Sequence, residues 1–205
     1  MNQFDIERYL LFLDIYQITF MNSVPTILVM LSKHPTASNY NLTNVEQVNT
    51  GSAPLGKGIG KIISQRFLRP GVQVKQGWGM TETTCSATSF AADDEDDGGS
   101  IGWLNANMSA KIAPVEGRDF ENESSHGYKI GEIWISGPNI MKGYYNKPKE
   151  TAETIIFEND RRWLRTGDIG YVDTRGCLYI VDRMKASFIQ WSQISMKLNE
   201  SQHRS

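Results

Sequence analysis

The sequence predicts an α/β protein in which a parallel sheet covered by helices is followed by a small antiparallel β sheet or partly open barrel. Three observations support this prediction. Strand-like and helix-like apolar segments alternate up to residue 76, a pattern typical of parallel sheets with helices on their faces. An acidic run at 93–97, which is typical of a solvated loop, ends that alternation. Beyond residue 109 the apolar segments are short, alternate with polar residues and are bounded by turns.

The first half of the chain contains three helix-like and three strand-like segments. We expect helices at 4–16, 26–32 and 57–67, and Pro25 suits the first turn of the second helix because its missing N–H is not needed there. Short apolar runs predict strands at 18–21, 45–49 and 72–74. Ligands of parallel sheets usually bind beyond the carboxyl ends of the strands. Two small-residue segments, 51–55 and 76–83, follow such ends, so we expect both to line one crevice.

The second half of the chain is β-rich. Alternating segments predict antiparallel strands at 109–113, 131–136, 170–173 and 176–182, with a turn at 173–176. The last twenty residues are polar and lack a continuous apolar face, which predicts a disordered tail. The expected organisation is an α/β part at 1–108, a β-rich part at 109–185 and the tail at 186–205.

Composition excludes several functional classes. The 205 residues are 40% hydrophobic and carry a formal net charge of −2, so the basic surface that nucleic-acid binding requires is not expected. Cys85 and Cys177 match no metal-ligand spacing and indicate a reducing compartment. No apolar run approaches the length of about 18 residues that a membrane span needs. The sequence therefore predicts an intracellular, cytoplasmic protein. The histidines His34, His126 and His203 fit no catalytic triad or metal pattern.

The segment 76–83 reads Gln-Gly-Trp-Gly-Met-Thr-Glu-Thr and admits two interpretations. Its two glycines allow the backbone to approach a ligand closely, and Thr81 and Glu82 behind them offer a hydroxyl and a carboxylate to a phosphate and a metal ion. Alternatively, the segment is a strand-to-helix turn in which Thr81 or Glu82 serves as a helix cap. The pattern alone leaves both interpretations open.

Five segments in series resemble the adenylate-forming superfamily, which includes acyl-CoA synthetases, 4-coumarate-CoA ligases and firefly luciferase. Segment 51–55 resembles the adenine loop of that family, and segment 76–83 resembles its Gly-Tyr-Gly-Met-Thr-Glu signature. Segments 131–133, 143–145 and 151–154 together resemble the following block rich in glycine and tyrosine. Segment 163–168 is similar to the Thr-Gly-Asp motif, and segment 176–185 is similar to the Asp-Arg-x-Lys segment. The resemblance covers residues 1 to about 185.

The resemblance implies an AMP-forming acid-thiol ligase. A carboxylate would attack the α-phosphate of ATP, giving an acyl-adenylate and pyrophosphate, and the thiol of coenzyme A would then displace AMP. Thr81 would bond the α-phosphate, Glu82 would hold Mg²⁺, and Asp168 would accept from the ribose hydroxyls. Trp78 stands where the family usually has tyrosine, which preserves a ring for stacking on adenine. The expected nucleotide contacts are Gly51, Ser52, Ala53, Gln76, Gly77, Trp78, Gly79, Thr81, Asp168, Ile180, Arg183 and Lys185.

The resemblance also identifies parts that this sequence lacks. The family has a phosphate loop ending in lysine before the adenine loop and a small domain with a catalytic lysine after the Asp-Arg-x-Lys segment. We therefore expect a chain truncated at both ends, with weak AMP or ATP binding and little ligase activity alone. One alternative is a non-catalytic nucleotide-binding fragment that associates with another polypeptide through exposed apolar surface. Another is a fragment of an amino-acid-activating domain, which Met80 disfavours because that branch commonly has proline there. A peroxisomal location stays open for a full-length relative.

Overall fold

The computed structural model describes residues 4–91, 93–96, 98–115 and 127–184, and the chain divides into two compact units between Asn105 and Ala106. The predicted disordered tail at 186–205 lies outside the described residues, as do Lys185, His126 and His203. Among the described residues, no helix is both long and apolar enough to cross a membrane. Each unit is described separately below.

The first unit is built on a parallel sheet with helices around it. Its helices are α1 (Ile6–Ile15), α2 (Pro25–Lys33) and α3 (Lys57–Phe67), and its sheet has the order β1 (Phe20–Ser23), β2 (Gln47–Thr50), β3 (Val74–Gln76). A short antiparallel pair, β4 (Thr88–Ser89) and β5 (Trp103–Leu104), follows, and 3₁₀ turns span Ala37–Asn39 and Thr81–Thr83. The predicted fold class of this half is confirmed.

Capping and burial explain where these elements form. The Asp5 carboxylate accepts hydrogen bonds from the Glu7 and Arg8 N–H groups at 3.0 and 3.1 Å and so begins α1. Pro25 occupies the first position of α2, as predicted. One apolar cluster joins the helices to the sheet, and its fully buried members include Leu10, Leu28, Leu31, Val48 and Ile63.

The predicted strands of this unit begin too early by about two residues. Ile18 N–H bonds Leu13 O behind α1, Val45 N–H bonds Leu42 O, and Val72 N–H bonds Arg69 O. Each of these apolar residues therefore belongs to the turn before its strand. The paired strands instead reach Ser23, Thr50 and Gln76, so polar side chains occupy their carboxyl ends.

The second unit is an antiparallel sheet of β6 (Ser109–Ala113), β7 (Gly131–Ser136), β8 (Ile155–Glu158), β9 (Arg161–Val172) and β10 (Leu178–Arg183), with the short helix α4 (Pro148–Thr154). The strand order is β10-β9-β7-β6, and β8 pairs with β9. Fully buried side chains on these strands include Ile133, Ile135, Leu164, Ile169 and Leu178. The predicted antiparallel sheet is confirmed.

The sequence missed most of the longest strand. The strand predicted at 170–173 is only the end of the twelve-residue β9, which also carries the Thr-Gly-Asp motif. Gly167 has φ 71° and the β7–β9 register shifts between Glu132 and Trp134, so a β-bulge interrupts the simple alternation on which the prediction depended. The predicted turn at 173–176 is confirmed by the Gly176 N–H to Asp173 O hydrogen bond of 3.0 Å.

Candidate functional site

The two predicted small-residue loops of the first unit meet at the carboxyl ends of β2 and β3. Gly77 N–H donates to Thr50 O at 2.8 Å and extends the pairing of the two strands by one residue. A Cβ atom on Gly51 would lie 3.1 Å from Gly77 O, closer than side chains normally approach a backbone oxygen. The Ser52 backbone has a positive φ of 72°. The structure therefore brings segments 51–55 and 76–83 together, as the sequence predicted.

The side chain of Gln76, in segment 76–83, holds segment 51–55 in place. Its side-chain oxygen Oε1 accepts a hydrogen bond from the Leu55 N–H at 2.7 Å. The amide nitrogen of the same side chain lies 3.5 Å from Gly98 O. Gln76 was predicted as a nucleotide contact, and in this structure its side chain positions the predicted adenine loop.

A close backbone contact shapes the loop that follows Trp78. Trp78 N–H donates to Thr88 Oγ1 at 3.1 Å, and Trp78 O accepts from the Ala87 and Thr88 N–H groups at 2.9 and 3.0 Å. An added Cβ on Gly79 would lie 1.9 Å from Cys85 O. Only glycine fits there, because any side chain would overlap the returning backbone.

Thr83 closes the 3₁₀ turn, a role that the sequence did not reveal. Its hydroxyl donates to Met80 O at 2.9 Å and accepts from Met80 N–H at 3.0 Å. The cap interpretation named Thr81 or Glu82 instead, but the hydroxyl that bonds the turn is the one three residues after Met80. Thr83 is fully buried, whereas Thr81 is exposed and Glu82 is half-buried. Thr81 and Glu82 therefore face outward from a turn that Thr83 holds.

A cavity of about 460 Å³ lies beside these loops in the first unit. Five of the predicted site residues line it, namely Gly51, Ser52, Gly77, Trp78 and Gly79. Its remaining described lining includes Ser23, Thr50 and Val24 from the strand ends and Cys85 and Ser86 from the returning loop. Ala53, Gln76, Thr81 and Glu82 lie outside this lining. The volume is within the range of small-molecule sites in proteins, which is roughly 300 to 1,000 Å³.

Lys75 is a buried cation beside the predicted site that the sequence did not single out. Its Nζ donates to Ala91 O at 2.7 Å, two residues before the acidic run. Burial lowers the pKa of Lys75, and the carboxylates of Asp94, Asp93 and Asp96 oppose that change. The Asp96 N–H also donates to Gln73 Oε1 at 3.1 Å, so part of the acidic run is held beside the start of β3, although the sequence indicated only a solvated loop.

In the second unit, the structure pairs two predicted ribose contacts with each other. Asp168 and Arg183 are opposite each other in the β9–β10 ladder, and Arg183 Nε lies 3.2 Å from Asp168 Oδ1. The Asp168 side chain is 8% exposed and that of Arg183 is 60% exposed. The ion pair therefore joins a buried carboxylate to a guanidinium that solvent can reach. Ile180 lies opposite Gly170 in the same ladder.

Comparison with known proteins decides the family. The family model described as AMP-binding enzyme matches residues 1–145. The chain belongs to the AMP-binding enzyme family. Among curated relatives, a luciferin 4-monooxygenase of Nipponoluciola cruciata is 37% identical over 91% of this chain and 32% of its own length. The 4-coumarate–CoA ligase-like protein 9 of Arabidopsis thaliana is 38% identical over 90% of this chain and 32% of its own length. The chain thus spans about a third of the length of these relatives.

Solved structures of the AMP-binding enzyme family share the fold. A long-chain-fatty-acid-CoA ligase from Archaeoglobus fulgidus matches 89% of this chain and 38% of its own, with a TM-score of 0.74 and 28% identity. MatB from Rhodopseudomonas palustris, solved with ATP bound, matches 89% of this chain and 34% of its own, with a TM-score of 0.74 and 30% identity. The resemblance stated from the sequence is confirmed at the level of family and fold.

Glu82 is the one carboxylate that segment 76–83 offers to a metal ion. Among the described residues, no three histidine, cysteine or acidic side chains are grouped as a metal site. Mg²⁺ is commonly held by one or two carboxylates together with substrate phosphates and water, without a cage made only of protein ligands. A single half-buried carboxylate, such as that of Glu82 in segment 76–83, agrees with that mode of binding.

Proposed function

We propose that this chain carries part of the nucleotide and acid site of an AMP-forming acid-thiol ligase. In the proposed reaction, a carboxylate oxygen attacks the α-phosphorus of ATP and pyrophosphate leaves, and the thiol of coenzyme A then attacks the acyl carbon and AMP leaves. The family match supports the reaction class. The observation that carries the proposal is the junction at Gly77 and Thr50, which places the predicted adenine loop beside the glycine signature at two neighbouring strand ends.

Each loop of the first unit has a proposed task. Ser52 and Ala53 flank adenine through backbone and small side chains, and the ring of Trp78 offers a stacking surface. The Thr81 hydroxyl donates to the α-phosphate. Stabilisation of the negative charge that develops there is the main requirement of nucleotidyl transfer. Glu82 holds Mg²⁺, which neutralises phosphate charge when it is bound.

The second unit supplies the proposed ribose contacts. Asp168 is a buried carboxylate paired with Arg183, and its oxygens are the proposed acceptors for two ribose hydroxyls. The guanidinium of Arg183 is exposed enough to reach a ribose or phosphate oxygen. Ile180, from the same strand, and Lys185 complete the proposed set.

Calorimetric titration with AMP and with ATP plus Mg²⁺ tests this proposal. Because the chain spans about a third of its relatives' length, the measurement is binding and not turnover. We expect dissociation constants near the millimolar range for both nucleotides. Asp168→Asn should weaken AMP and ATP equally, by about tenfold, because both share the ribose. Glu82→Gln should weaken only ATP with Mg²⁺.

Two exposed residues provide matched controls. Asp160→Asn changes a carboxylate in a turn where φ is 57°, a conformation that asparagine tolerates, and Glu95→Gln changes a carboxylate in the exposed acidic run. Neither control should alter nucleotide binding. The proposal fails if neither nucleotide binds, or if the control variants weaken binding as much as Asp168→Asn does.

A second candidate is a non-catalytic fragment that associates with another polypeptide. The supporting observation is the surface of α1, where Leu11, Phe12 and Ile15 are 42%, 39% and 56% exposed and the following Tyr16 is 68% exposed. Adjacent exposed apolar residues of this size are typical of interaction surfaces. Sedimentation across a range of concentrations tests it, since a chain that stays monomeric at high concentration would count heavily against an exposed interaction surface.

A further inference from the structure

A groove of about 730 Å³ lies in the second unit, along the segment rich in glycine and tyrosine that has no task in the proposed function. Its walls come from the loop at 142–146, from α4 and from the strands β8 and β9. Among the described residues, the two most exposed large apolar side chains are Tyr145, at 90%, and Phe157, at 74%, and both line this groove. Large apolar side chains gathered at one concave surface are typical of a binding site.

Internal contacts hold the walls of the groove in place. Thr151 Oγ1, on α4, accepts a hydrogen bond from the Tyr144 N–H at 2.9 Å. A Cβ atom on Gly143 would lie 2.7 Å from the Thr151 side chain, so the loop runs tightly against the helix. Arg162 Nη2 donates to Met141 O at 2.8 Å, which fixes the guanidinium beside the same loop. The groove is therefore formed before a ligand enters, and a preformed site lowers the entropic cost of binding.

The charge of the groove selects the sign of its ligand. Lys142 and Arg162 are the charged side chains of its described lining, and neither makes an ion pair with another described residue. Three acidic residues of the same elements, Glu150, Glu153 and Glu158, lie outside that lining, and the first and last of them pair with other lysines. An anion in the groove is therefore attracted by two cations, whereas a cation is repelled.

We propose that this groove binds a small amphipathic anion, in which a carboxylate, phosphate or sulfate group is joined to an apolar chain or ring. The anionic group contacts Lys142 and Arg162, and the apolar part covers Phe157 and Tyr145. The volume is within the range of small-molecule sites, and a planar membrane surface would not fill a concave groove. This inference does not depend on the proposed function, because none of the described nucleotide contacts proposed above lines the groove.

Calorimetric titration of the full 205-residue chain with three probes tests the chemistry of the ligand. Decyl sulfate carries both required parts, methyl sulfate lacks the chain, and decyltrimethylammonium has the chain with the opposite charge. We expect a dissociation constant of about 0.1 mM for decyl sulfate and values at least tenfold weaker, by the same scale, for the other two probes. A decyl sulfate that does not bind, or that binds no better than either of the other probes, would overturn the proposal.

Two exposed residues of the lining locate the bound probe. Phe157→Ala should weaken decyl sulfate binding about tenfold, because apolar contact area is lost, and Lys142→Gln should weaken it about threefold, because a partly exposed charge pair contributes less.

Matched controls are Tyr16→Ala, which removes an exposed aromatic ring of the first unit, and Lys149→Gln, which removes an exposed charge of α4 outside the lining. Neither control should alter decyl sulfate binding. All four variants should melt within about 2 °C of the original chain, which shows that a loss of binding is not unfolding. Binding that survives both Phe157→Ala and Lys142→Gln, or that the controls weaken equally, would overturn the proposal.

Vesicles of phosphatidylcholine, with and without phosphatidylserine, test a membrane as the occupant. Exposed aromatic rings beside lysine and arginine also occur at membrane surfaces, so this alternative requires a direct measurement. We expect no sedimentation of the chain with either vesicle. Capture by the anionic vesicles that Phe157→Ala abolishes would show that a membrane covers the groove, and it would overturn the proposal.

The nucleotide titration separates this inference from the proposed function. Phe157→Ala and Lys142→Gln should bind AMP as the original chain does. If decyl sulfate binds in the groove but neither AMP nor ATP binds, the inference stands and the ligase proposal fails. If the nucleotides bind but decyl sulfate does not, the ligase proposal stands and the inference fails.

Discussion

The two units hold their predicted site residues by different means. In the first unit, close backbone approaches shape the site, as at Gly77 beside Thr50 and Gly79 beside Cys85. In the second unit, side chains do so, because the buried Glu132 carboxylate accepts from Trp134 Nε1 at 2.7 Å, from Gly167 N–H at 3.1 Å and from Arg165 Nε at 3.3 Å.

The two units also differ in how their buried polar side chains are bonded. In the first unit, the buried hydroxyl of Thr50 makes no hydrogen bond at the end of β2. In the second unit the buried carboxylates of Glu132 and Asp173 are bonded to neighbouring groups of the same sheet. Adding a side chain at a tight backbone contact should therefore destabilise the first unit most, whereas removing a bonded carboxylate should destabilise the second.

The largest effect is expected where the backbone of the first unit is tightest. Gly79→Ala would place a Cβ atom 1.9 Å from Cys85 O, and a backbone oxygen cannot move aside as a flexible side chain can. We expect a loss of about 4 kcal/mol in the free energy of unfolding, measured by urea denaturation. The control is Gly58→Ala on α3, where nothing lies within 4 Å of the added atom. That variant should gain up to about 1 kcal/mol, because alanine favours helix. Equal losses in both variants would contradict a backbone scaffold.

The next effect is expected in the side-chain scaffold of the second unit. Glu132→Ala leaves Gly167 N–H, Trp134 Nε1 and the Arg165 guanidinium without their shared acceptor. Removal of one partner from such a buried network costs about 3 kcal/mol. Glu132→Gln should cost less, since its amide oxygen still accepts.

Glu150→Ala is the matched control for that prediction. Glu150 pairs with Lys147 at 3.6 Å on α4, and both side chains are more than half exposed, so its removal should change the unfolding free energy by less than about 0.5 kcal/mol. Urea denaturation of the three variants at one salt concentration measures the difference. A Glu132→Ala variant as stable as Glu150→Ala would mean that the second unit does not depend on this carboxylate.

Local patterns in the sequence predicted much of this scaffold. The bounds of α3, β6 and β7 agree with the structure to the residue, because uninterrupted apolar periodicity defines all three. The meeting of segments 51–55 and 76–83 also followed from the rule that parallel strands end at one edge of a sheet. Asp168 and Arg183, placed at one ribose by resemblance, are direct neighbours across β9 and β10.

What the sequence missed depends on contacts between distant residues. The acceptor role of Glu132 is set by β9, because Gly167, which donates to it, lies thirty-five positions further along the chain. Such a contact leaves no periodic signal in the sequence. Lys75 resembled any lysine on a strand until its Nζ was seen against Ala91 O. The unpaired state of Thr50 is likewise a property of its surroundings and not of its local sequence.

The smallest effect is expected at the β9–β10 turn, and it depends on pH. Burial tends to raise the pKa of Asp173, but hydrogen bonds from Cys177 N–H, the Arg175 side chain and Arg175 N–H outweigh it and leave the pKa below its ordinary value of 3.8. A carboxyl group whose pKa is lower in the folded state stabilises the protein above its unfolded pKa, and this stabilisation is lost as the pH falls through the folded pKa. Asp173→Asn should therefore lower the free energy of unfolding by about 1 kcal/mol at pH 7, where the charge is present, and by progressively less below pH 3.8.

Urea denaturation of both proteins between pH 7 and pH 2.5 measures this difference. The control is Asp160→Asn in the β8–β9 turn, whose small effect should not follow that pH dependence. If the cost of Asp173→Asn stayed constant across the range, the charge of Asp173 would not stabilise the turn, and the contrast between the side-chain scaffold of the second unit and the backbone scaffold of the first would lose this part of its support.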